Sequence, residues 1–180
     1  MSKINVFCGP MFSGKSSKIF EIVEETPGNC IIFSPIIDTR SSSFIVCHDG
    51  RRLNCMKISK ARDMEQYINP SIKAVLIDEA QFFDVSIVEF VKGFSDSGID
   101  VYIFGLDMDR YRRPFGPMPN LMAIADQVTK LVAKCSCGKA AIYSFKVQPD
   151  GEQISIGGSD KYFPVCKNCY LENMKKESIV

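Results

Sequence analysis

A glycine-rich segment near the amino terminus constrains the fold more than any other feature of this sequence. Residues 9–16 read GPMFSGKS and match the pattern G-x-x-x-x-G-K-[ST]. The apolar run Ile4–Cys8 precedes the segment, and Lys15–Glu25 follows it with apolar residues at helical spacing. Because backbone N–H groups and the amino end of a helix surround the phosphates together, a P-loop needs this strand–loop–helix context. The sequence therefore predicts an ATP site on an α/β fold.

Two charged elements complete the expected phosphoryl-transfer chemistry. In the P-loop, Lys15 would reach the β- and γ-phosphates, and the Ser16 hydroxyl would bind magnesium. The apolar strand Ala74–Ile77 ends at Asp78, which is placed to hold magnesium directly or through water. Glu79 adds a second carboxylate that could take a proton from a hydroxyl group. The rival interpretation is an exposed acidic turn.

Strand and helix signals alternate through most of the chain. Further strands are predicted at 30–33 and 101–104, and helices at 61–68 and 85–94. Residues 34–52 are polar and irregular. This alternation indicates βαβ units and a parallel sheet with helices on both faces.

Four cysteines near the carboxyl end form two close pairs, Cys135-x-Cys137 and Cys166-x-x-Cys169. Four thiolates in two pairs can close a tetrahedral zinc site. The first pair is one residue shorter than the usual C-x-x-C, and free thiols or partial metal occupancy are the alternatives. The other four cysteines are scattered and are expected to be free thiols.

The character of the sequence changes at the first of these cysteines. From residue 135 onward it is rich in Cys and Gly, with strand-like pieces at 141–147 and 153–156. We therefore expect two units, a P-loop α/β nucleotide-binding domain at 1–134 and a small zinc-binding subdomain at 135–180.

Composition excludes several classes of protein. The chain has 180 residues, of which 46% are apolar, which is enough for one core domain and a small appendage. Its net charge of +1 is unlike that of a dedicated nucleic-acid binder. No apolar run could span a bilayer, and residues 1–10 lack the features of a signal peptide. We expect a cytoplasmic protein, or one in the host cytoplasm if it is viral, with no nucleic-acid or membrane partner.

These segments together resemble the zinc-containing thymidine kinases of animals, bacteria, phages and large DNA viruses. The resemblance covers nearly the whole chain. Besides the P-loop, the segments that carry it are 38–40 (DTR), 47–49 (CHD), 78–83 (DEAQFF), 105–107 (GLD), 114–117 (PFGP), 130–131 (KL) and 157–162 (GGSDKY).

The resemblance implies a recombinase-like α/β core and a zinc subdomain whose lasso loop closes over the nucleoside. The implied reaction is ATP- and magnesium-dependent phosphorylation of thymidine, and of deoxyuridine, at the 5′-hydroxyl in nucleotide salvage. Zinc would be structural. The family is commonly a homotetramer, and thymidine triphosphate is its expected feedback inhibitor.

The resemblance also implies site residues. Glu79 matches the general base, Tyr111 an aromatic residue that stacks on the base, and 153–157 the lasso backbone that bonds the base. Met11, Leu106 and Tyr162 match the pocket around the thymine methyl group. The implied ATP-binding residues are Gly9, Pro10, Met11, Phe12, Ser13, Gly14, Lys15, Ser16, Asp38, Arg40, Asp78 and Gln81, with magnesium at Ser16 and Asp78. The implied substrate-binding residues are Met11, Phe82, Leu106, Tyr111, Gln153, Ile154, Ser155, Ile156, Gly157 and Tyr162.

The sequence departs from the family pattern at three places. The first cysteine pair is short, and Lys146 stands where the family usually has arginine, so a point charge replaces a bidentate fork. The segment 34–43 lacks the usual basic residue before Asp38 and has Pro-Ile-Ile at 35–37 instead.

Three other functions are compatible with parts of the sequence. A P-loop ATPase with a nucleic-acid-binding zinc module is disfavoured by the net charge and by the lack of an aromatic–basic stripe. A kinase for another nucleoside is opposed through the resemblance alone. A catalytically idle binding protein is not indicated, because Lys15, Ser16, Asp78 and Glu79 are all present.

Overall fold

The computed structural model describes residues 2–39, 43–47, 50–146 and 161–177. The strands in these ranges are β1 (Ile4–Cys8), β2 (Cys30–Pro35), β3 (Phe44–Val46), β4 (Arg52–Asn54), β5 (Met56–Ile58), β6 (Ala74–Ile77), β7 (Asp100–Gly105), β8 (Gln127–Lys130), β9 (Ala133–Lys134), β10 (Ala140–Ala141), β11 (Tyr143–Lys146) and β12 (Tyr162–Val165). The α-helices are α1 (Lys15–Glu25), α2 (Ile87–Asp96), α3 (Met118–Ile124) and α4 (Lys167–Glu177), and two 3-10 helices cover Ala61–Tyr67 and Ala80–Phe82. Within these ranges, no helix has the length and apolar character needed to cross a bilayer.

Six parallel strands form the central sheet, in the order β5-β2-β6-β7-β1-β8. Strand β7 lies between β1, which leads into the P-loop, and β6, which leads to Asp78. Because all six strands run in the same direction, the segments that follow β1, β2, β6 and β7 lie along one edge. Ligands of open α/β sheets bind at this edge. The predicted recombinase-like core is confirmed.

Helices cover both faces of the sheet. Strand β6 shows why, since Val75 and Ile77 enter one hydrophobic core while Ala74 and Leu76 enter the other. The first core also takes apolar residues from α2, α3 and the 3-10 helix Ala61–Tyr67. The second takes them from α1 and from the antiparallel β3–β4 hairpin. Both faces of the parallel sheet are therefore buried, as the near-continuous apolar strands predict.

A third, smaller core lies near the carboxyl end. Two antiparallel pairs, β9–β10 and β11–β12, pack with α4 around apolar side chains and cysteines. The fully or nearly buried members of this core are Ala133, Cys135, Ala141, Phe145, Val165, Cys166 and Tyr170. The core is small, so few apolar contacts hold this unit together.

Several elements differ from the sequence-based expectation. The stretch 34–52, predicted to be irregular, contains β3 and the start of β4, because Ile45 and Leu53 pack on the second core. The predicted helix at 61–68 is a 3-10 helix. The strand predicted at 141–147 is interrupted at Ile142. Residue 147 and the predicted strand 153–156 lie outside the described residues.

Candidate functional site

The P-loop joins β1 to α1 and folds over its own lysine. Gly9 has a φ of 150°, and a Cβ atom at this position would collide with the backbone carbonyl of Leu131. Lys15 is buried, and its Nζ donates to the carbonyl oxygens of Gly9 at 2.9 Å and Pro10 at 2.8 Å. The loop thus places an ammonium group beside the amino end of α1, where both favour an anion.

Two hydroxyl groups of the loop fit a bound triphosphate. Ser13 is buried, and its Oγ has no hydrogen-bond partner among the described residues. A buried hydroxyl without a partner is uncommon in a native protein, and a phosphate oxygen would satisfy it. Ser16 lies half-buried in the first turn of α1, where its hydroxyl can reach a metal ion held by the phosphates.

The two carboxylates after β6 are separated by a left-handed turn. Glu79 has a φ of 51°, an uncommon conformation for a residue with a Cβ atom. Its backbone N–H donates to Asp78 Oδ1 at 2.9 Å. Both side chains are buried. Such backbone strain costs on the order of 1–3 kcal/mol and concentrates at functional sites.

A buried glutamine ties the Glu79 carboxylate to the neighbouring loop. Gln81 Nε2 donates to Glu79 Oε2 at 2.5 Å, and Gln81 Oε1 accepts from the backbone N–H of Leu106 at 3.0 Å. A Cβ atom at Gly105 would lie 2.8 Å from Gln81 Oε1, so glycine leaves room for this amide. The arrangement links the end of β6 to the end of β7.

The loop after β7 is held by a carboxylate. Asp109 Oδ1 accepts from the backbone N–H groups of Tyr111 and Arg113, each at 2.8 Å. The guanidinium carbons of Arg110 and Arg113 lie 4.7 Å and 5.4 Å from the centre of the Tyr111 ring. This turn therefore fixes the aromatic ring that was predicted to stack on the base.

The remaining predicted residues are only partly described. Arg40 and the lasso residues 153–157 lie outside the described residues. Tyr162 begins β12, and its ring centre is 6.0 Å from Lys146 Nζ. Phe82 is half-buried at the end of its 3-10 helix.

The four paired cysteines converge. Their sulfur atoms all lie within 4.8 Å of one another, and the Sγ atoms of Cys137 and Cys166 are 3.6 Å apart. Tetrahedral zinc with four sulfur ligands requires sulfur–sulfur distances of roughly 3.8 Å. The short first pair reaches the cluster because a tight turn joins β9 to β10, with the N–H of Gly138 bonded to the Cys135 carbonyl at 2.8 Å. The cluster can hold a metal ion.

The surroundings of these thiols shift their pKa values in opposite directions. Backbone N–H groups of Cys137 and Cys166 lower the pKa of Cys135 to about 6. Hydrogen bonds with the other three sulfurs raise the pKa of Cys169 to about 12, because its proton is shared with them. By contrast, burial raises the pKa of Cys8, which precedes the P-loop, to about 11. Cys8 is therefore a neutral buried thiol, as predicted for the scattered cysteines.

The metal-binding unit contacts both halves of the site. Ser144 Oγ accepts from the backbone N–H of Met11 at 3.0 Å. The Tyr170 hydroxyl donates to the Arg110 carbonyl at 2.8 Å, and the Arg112 guanidinium lies 5.1 Å from the centre of the Tyr170 ring. Arg112 therefore packs on an aromatic ring of the carboxyl-terminal unit.

Sequence reasoning overlooked two polar residues at this edge, Lys57 and Ser144. Lys57 lies in β5, and its Nζ donates to the carbonyl of Asp38 at 2.8 Å. Neither residue belongs to a recognisable motif, and one lysine or serine in a strand pattern gives no sequence signal. Only the strand pairing and the packing of the carboxyl-terminal unit bring them to the site.

Comparisons with known proteins agree on one family. A family model described as thymidine kinase matches residues 2–170. A thymidine kinase of Porphyromonas gingivalis is 40% identical over 175 residues, covering 93% of this chain and 84% of that protein. A thymidine kinase of Mycoplasma mobile is 38% identical over 179 residues, covering 97% of this chain and 90% of that protein. Among solved structures, the Thermotoga maritima RuvB Holliday junction branch migration motor gives a TM-score of 0.43 at 12% identity over 76% of this chain and 40% of that one, and this slight likeness supports no conclusion.

Proposed function

Since this chain belongs to the thymidine kinase family, its activity is the ATP-dependent phosphorylation of thymidine, and we propose that Glu79 is the base of that reaction. Glu79 takes the proton from the 5′-hydroxyl of thymidine. The 5′-oxygen attacks the γ-phosphorus of ATP at the same time, and ADP leaves. Thymidine monophosphate is the product, and deoxyuridine is phosphorylated in the same way. The observation that carries this assignment is the buried Glu79 carboxylate, set apart from Asp78 on the same sheet edge as the P-loop.

The phosphates of ATP are held by the loop 9–16. Lys15 exchanges its carbonyl partners for phosphate oxygens, and the Ser13 hydroxyl and the backbone N–H groups of the loop supply further donors. Ser16 and Asp78 are the residues that would hold magnesium, which neutralises charge on the β- and γ-phosphates. Asp38 and Arg40 lie in the segment assigned to ATP through the resemblance.

The nucleoside is enclosed from three directions. Tyr111 stacks on the base, and Met11, Leu106 and Tyr162 surround the thymine methyl group, with Phe82 nearby. Lasso backbone at 153–157 reads the base edge, where an N3 donor is flanked by two acceptors. Cytosine alters part of that pattern and would leave polar groups of the site unpaired, which can lower the specificity constant by several powers of ten.

The carboxyl-terminal unit is a structural zinc subdomain. Four cysteine sulfurs at tetrahedral spacing are the donor set that zinc prefers. The separate small core near the carboxyl end supports a division close to the expected units 1–134 and 135–180, with Ala133 of β9 also in that core. The bond between Ser144 and Met11 suggests that this unit supports the site as well as the lasso.

The assembly and regulation follow the family resemblance. We assign a homotetramer, feedback inhibition by thymidine triphosphate and a cytoplasmic location, in the host cytoplasm if the chain is viral. Thymidine triphosphate would suit the same site, because it carries both a thymine base and a triphosphate. Analytical ultracentrifugation and inhibition kinetics test the first two assignments.

An ADP-release assay across the nucleosides tests the function. Thymidine and deoxyuridine should be turned over, and deoxycytidine and deoxyadenosine poorly. The Glu79→Gln variant, measured at saturating ATP, is the matched control for background hydrolysis. Comparable turnover of deoxycytidine would overturn the substrate assignment. ATP hydrolysis stimulated by DNA and by no nucleoside would indicate a nucleic-acid-dependent ATPase instead.

A further inference from the structure

The residues between β2 and Asp38 carry no positive charge. Residues 35–37 are Pro-Ile-Ile, where the zinc-containing thymidine kinases usually have a basic residue before Asp38, and the resemblance assigns the Asp38 segment to ATP. Among described residues, Asp38, Asp78 and Glu79 bring buried carboxyl groups to this edge. A site for a polyanion needs compensating cations at the same place.

A lysine from the neighbouring strand lies beside this segment. Strands β2 and β5 pair in parallel, with Ser34 opposite Lys57. Residues opposite each other on paired strands project from the same face of a sheet. The Lys57 side chain therefore emerges beside Ser34, and its Nζ is 3.1 Å from Ser34 Oγ.

The Lys57 ammonium is bound to the Asp38 segment rather than to solvent. Nζ donates to the Asp38 carbonyl at 2.8 Å and lies 3.8 Å from Asp38 Oδ2. The two side chains are only 15% and 7% exposed, so the charge pair is largely removed from water. Two of the three N–H donors are directed at Ser34 and Asp38, which leaves one for an incoming acceptor.

The charge of Lys57 also acts at the buried thiol of Cys55. Cys55 is a buried thiol whose pKa is raised by burial, and the charges that act on it are those of Lys57, Asp78 and Asp38. The charges of these three groups are therefore all felt at one buried position, just before β5. The positive charge of Lys57 lies with the carboxylates of the nucleotide edge.

We propose that Lys57 is a positioning residue for ATP, which holds the Asp38 segment and supplies from β5 a positive charge that residues 35–37 do not carry. The inference rests on the proposed function, because it concerns the affinity of that site for ATP. It predicts a selective effect on the nucleotide, since the contacts of Lys57 are with the Asp38 segment and not with the loop after β7.

Replacing Lys57 by methionine tests the inference, because methionine keeps much of the stem and removes the charge. The KM for ATP should rise about 10-fold, the scale of one charge-assisted contact. The KM for thymidine should stay within about twofold, as should kcat at saturating ATP. The matched control is Lys73→Met, which removes the same charge from an exposed lysine at the opposite end of β6 and should change neither KM.

A lysine moved to a neighbouring position tests whether the effect of Lys57 comes from its charge or from its packing. In the double variant Lys57→Met with Ser34→Lys, an ammonium returns to the same place from β2, and the KM for ATP should recover to within about threefold of the parent value. If Lys57→Met fails to fold, as judged by circular dichroism, Lys57→Gln replaces it with the same expectation.

Three results would overturn the inference: an unchanged KM for ATP in the folded variant, equal rises in both KM values, or no recovery in the double variant. A parent protein that phosphorylates no nucleoside would instead defeat the proposed function. Direct ATP binding by calorimetry gives the same comparison without turnover.

Discussion

Replacing Gln81 by leucine should slow phosphoryl transfer through the loss of its bond to Glu79. The glutamine amide joins Glu79 Oε2 and the backbone N–H of Leu106, and the side chain is 2% exposed. Leucine has a similar volume but bonds to neither group. The carboxylate would then lose a hydrogen bond that orients it on the strained turn.

The contacts set the size of the effect on stability. The buried Glu79 carboxylate and the partly buried Leu106 N–H each lose a partner. A fully buried group would lose about 1–3 kcal/mol, so the free energy of unfolding should fall by at most roughly 2–6 kcal/mol. Small domains have about 5–15 kcal/mol in total, so most of this range leaves the protein folded. Misplacement of a catalytic group by about 1 Å can reduce the rate about 100-fold, and we expect kcat to fall by about 10- to 100-fold.

A double-mutant cycle decides how Gln81 acts. If Gln81 only orients Glu79, adding Gln81→Leu to Glu79→Gln should change kcat by less than about twofold, because the oriented base is already gone. The resemblance assigns Gln81 to ATP binding instead. That role predicts a higher KM for ATP in Gln81→Leu, and an equal change whether Glu79 is present or replaced by glutamine. Gln127→Leu, an exposed glutamine of β8, is the control. Independent effects on kcat would refute the positioning role.

Four further outcomes are expected. Lys15→Ala should lower kcat/KM at least about 1,000-fold with the fold retained by circular dichroism, because the lysine stabilises transition-state charge. Glu79→Gln should lower kcat about 100- to 10,000-fold with ATP affinity little changed, whereas Asp78→Asn should raise the magnesium concentration needed for activity. The reverse pattern would mean that Asp78 is the base and Glu79 holds the metal. Ser144→Ala should raise the KM for thymidine about 2- to 12-fold, the scale of one hydrogen bond, with ATP as the internal comparison. Metal analysis should find about one zinc per chain, and chelation should increase hydrogen exchange at 133–146 before it increases in the central sheet. Active protein that contains no zinc would contradict the proposed zinc site.

The core of the fold could be predicted because its signals are local. Ile4–Cys8, Lys15–Glu25 and Ala74–Ile77 have the bounds that apolar runs and helical spacing indicate. Strand β8 and helix α3 were not predicted, since β8 is the exposed edge of the sheet and has little apolar character. The β3–β4 hairpin was missed for a similar reason, as each strand has three residues and owes its place to packing on the second core.

The residues of the candidate site that could be predicted from the sequence are also those with local signals. Motif residues such as Lys15 and Asp78 were named from sequence, because their spacing reflects one strand and one loop. Ser144 and Lys57 were not, because a long-range hydrogen bond and a strand register bring them to the site. Residues that are far apart in sequence can therefore be placed at the site only from the folded structure.

The conformation of Asp78 and Glu79 is set by a turn and not by strand alternation. Alternation along a strand would send adjacent side chains to opposite sides, but β6 ends at Ile77, before either carboxylate. The left-handed backbone of Glu79 turns its carboxylate toward Gln81, while Asp78 Oδ1 caps the next N–H. A strained turn holds only if its surroundings fix it, and the amide of Gln81 provides that support. The proposed base therefore owes its position to a contact two residues away in sequence and to a backbone N–H from the next strand's loop.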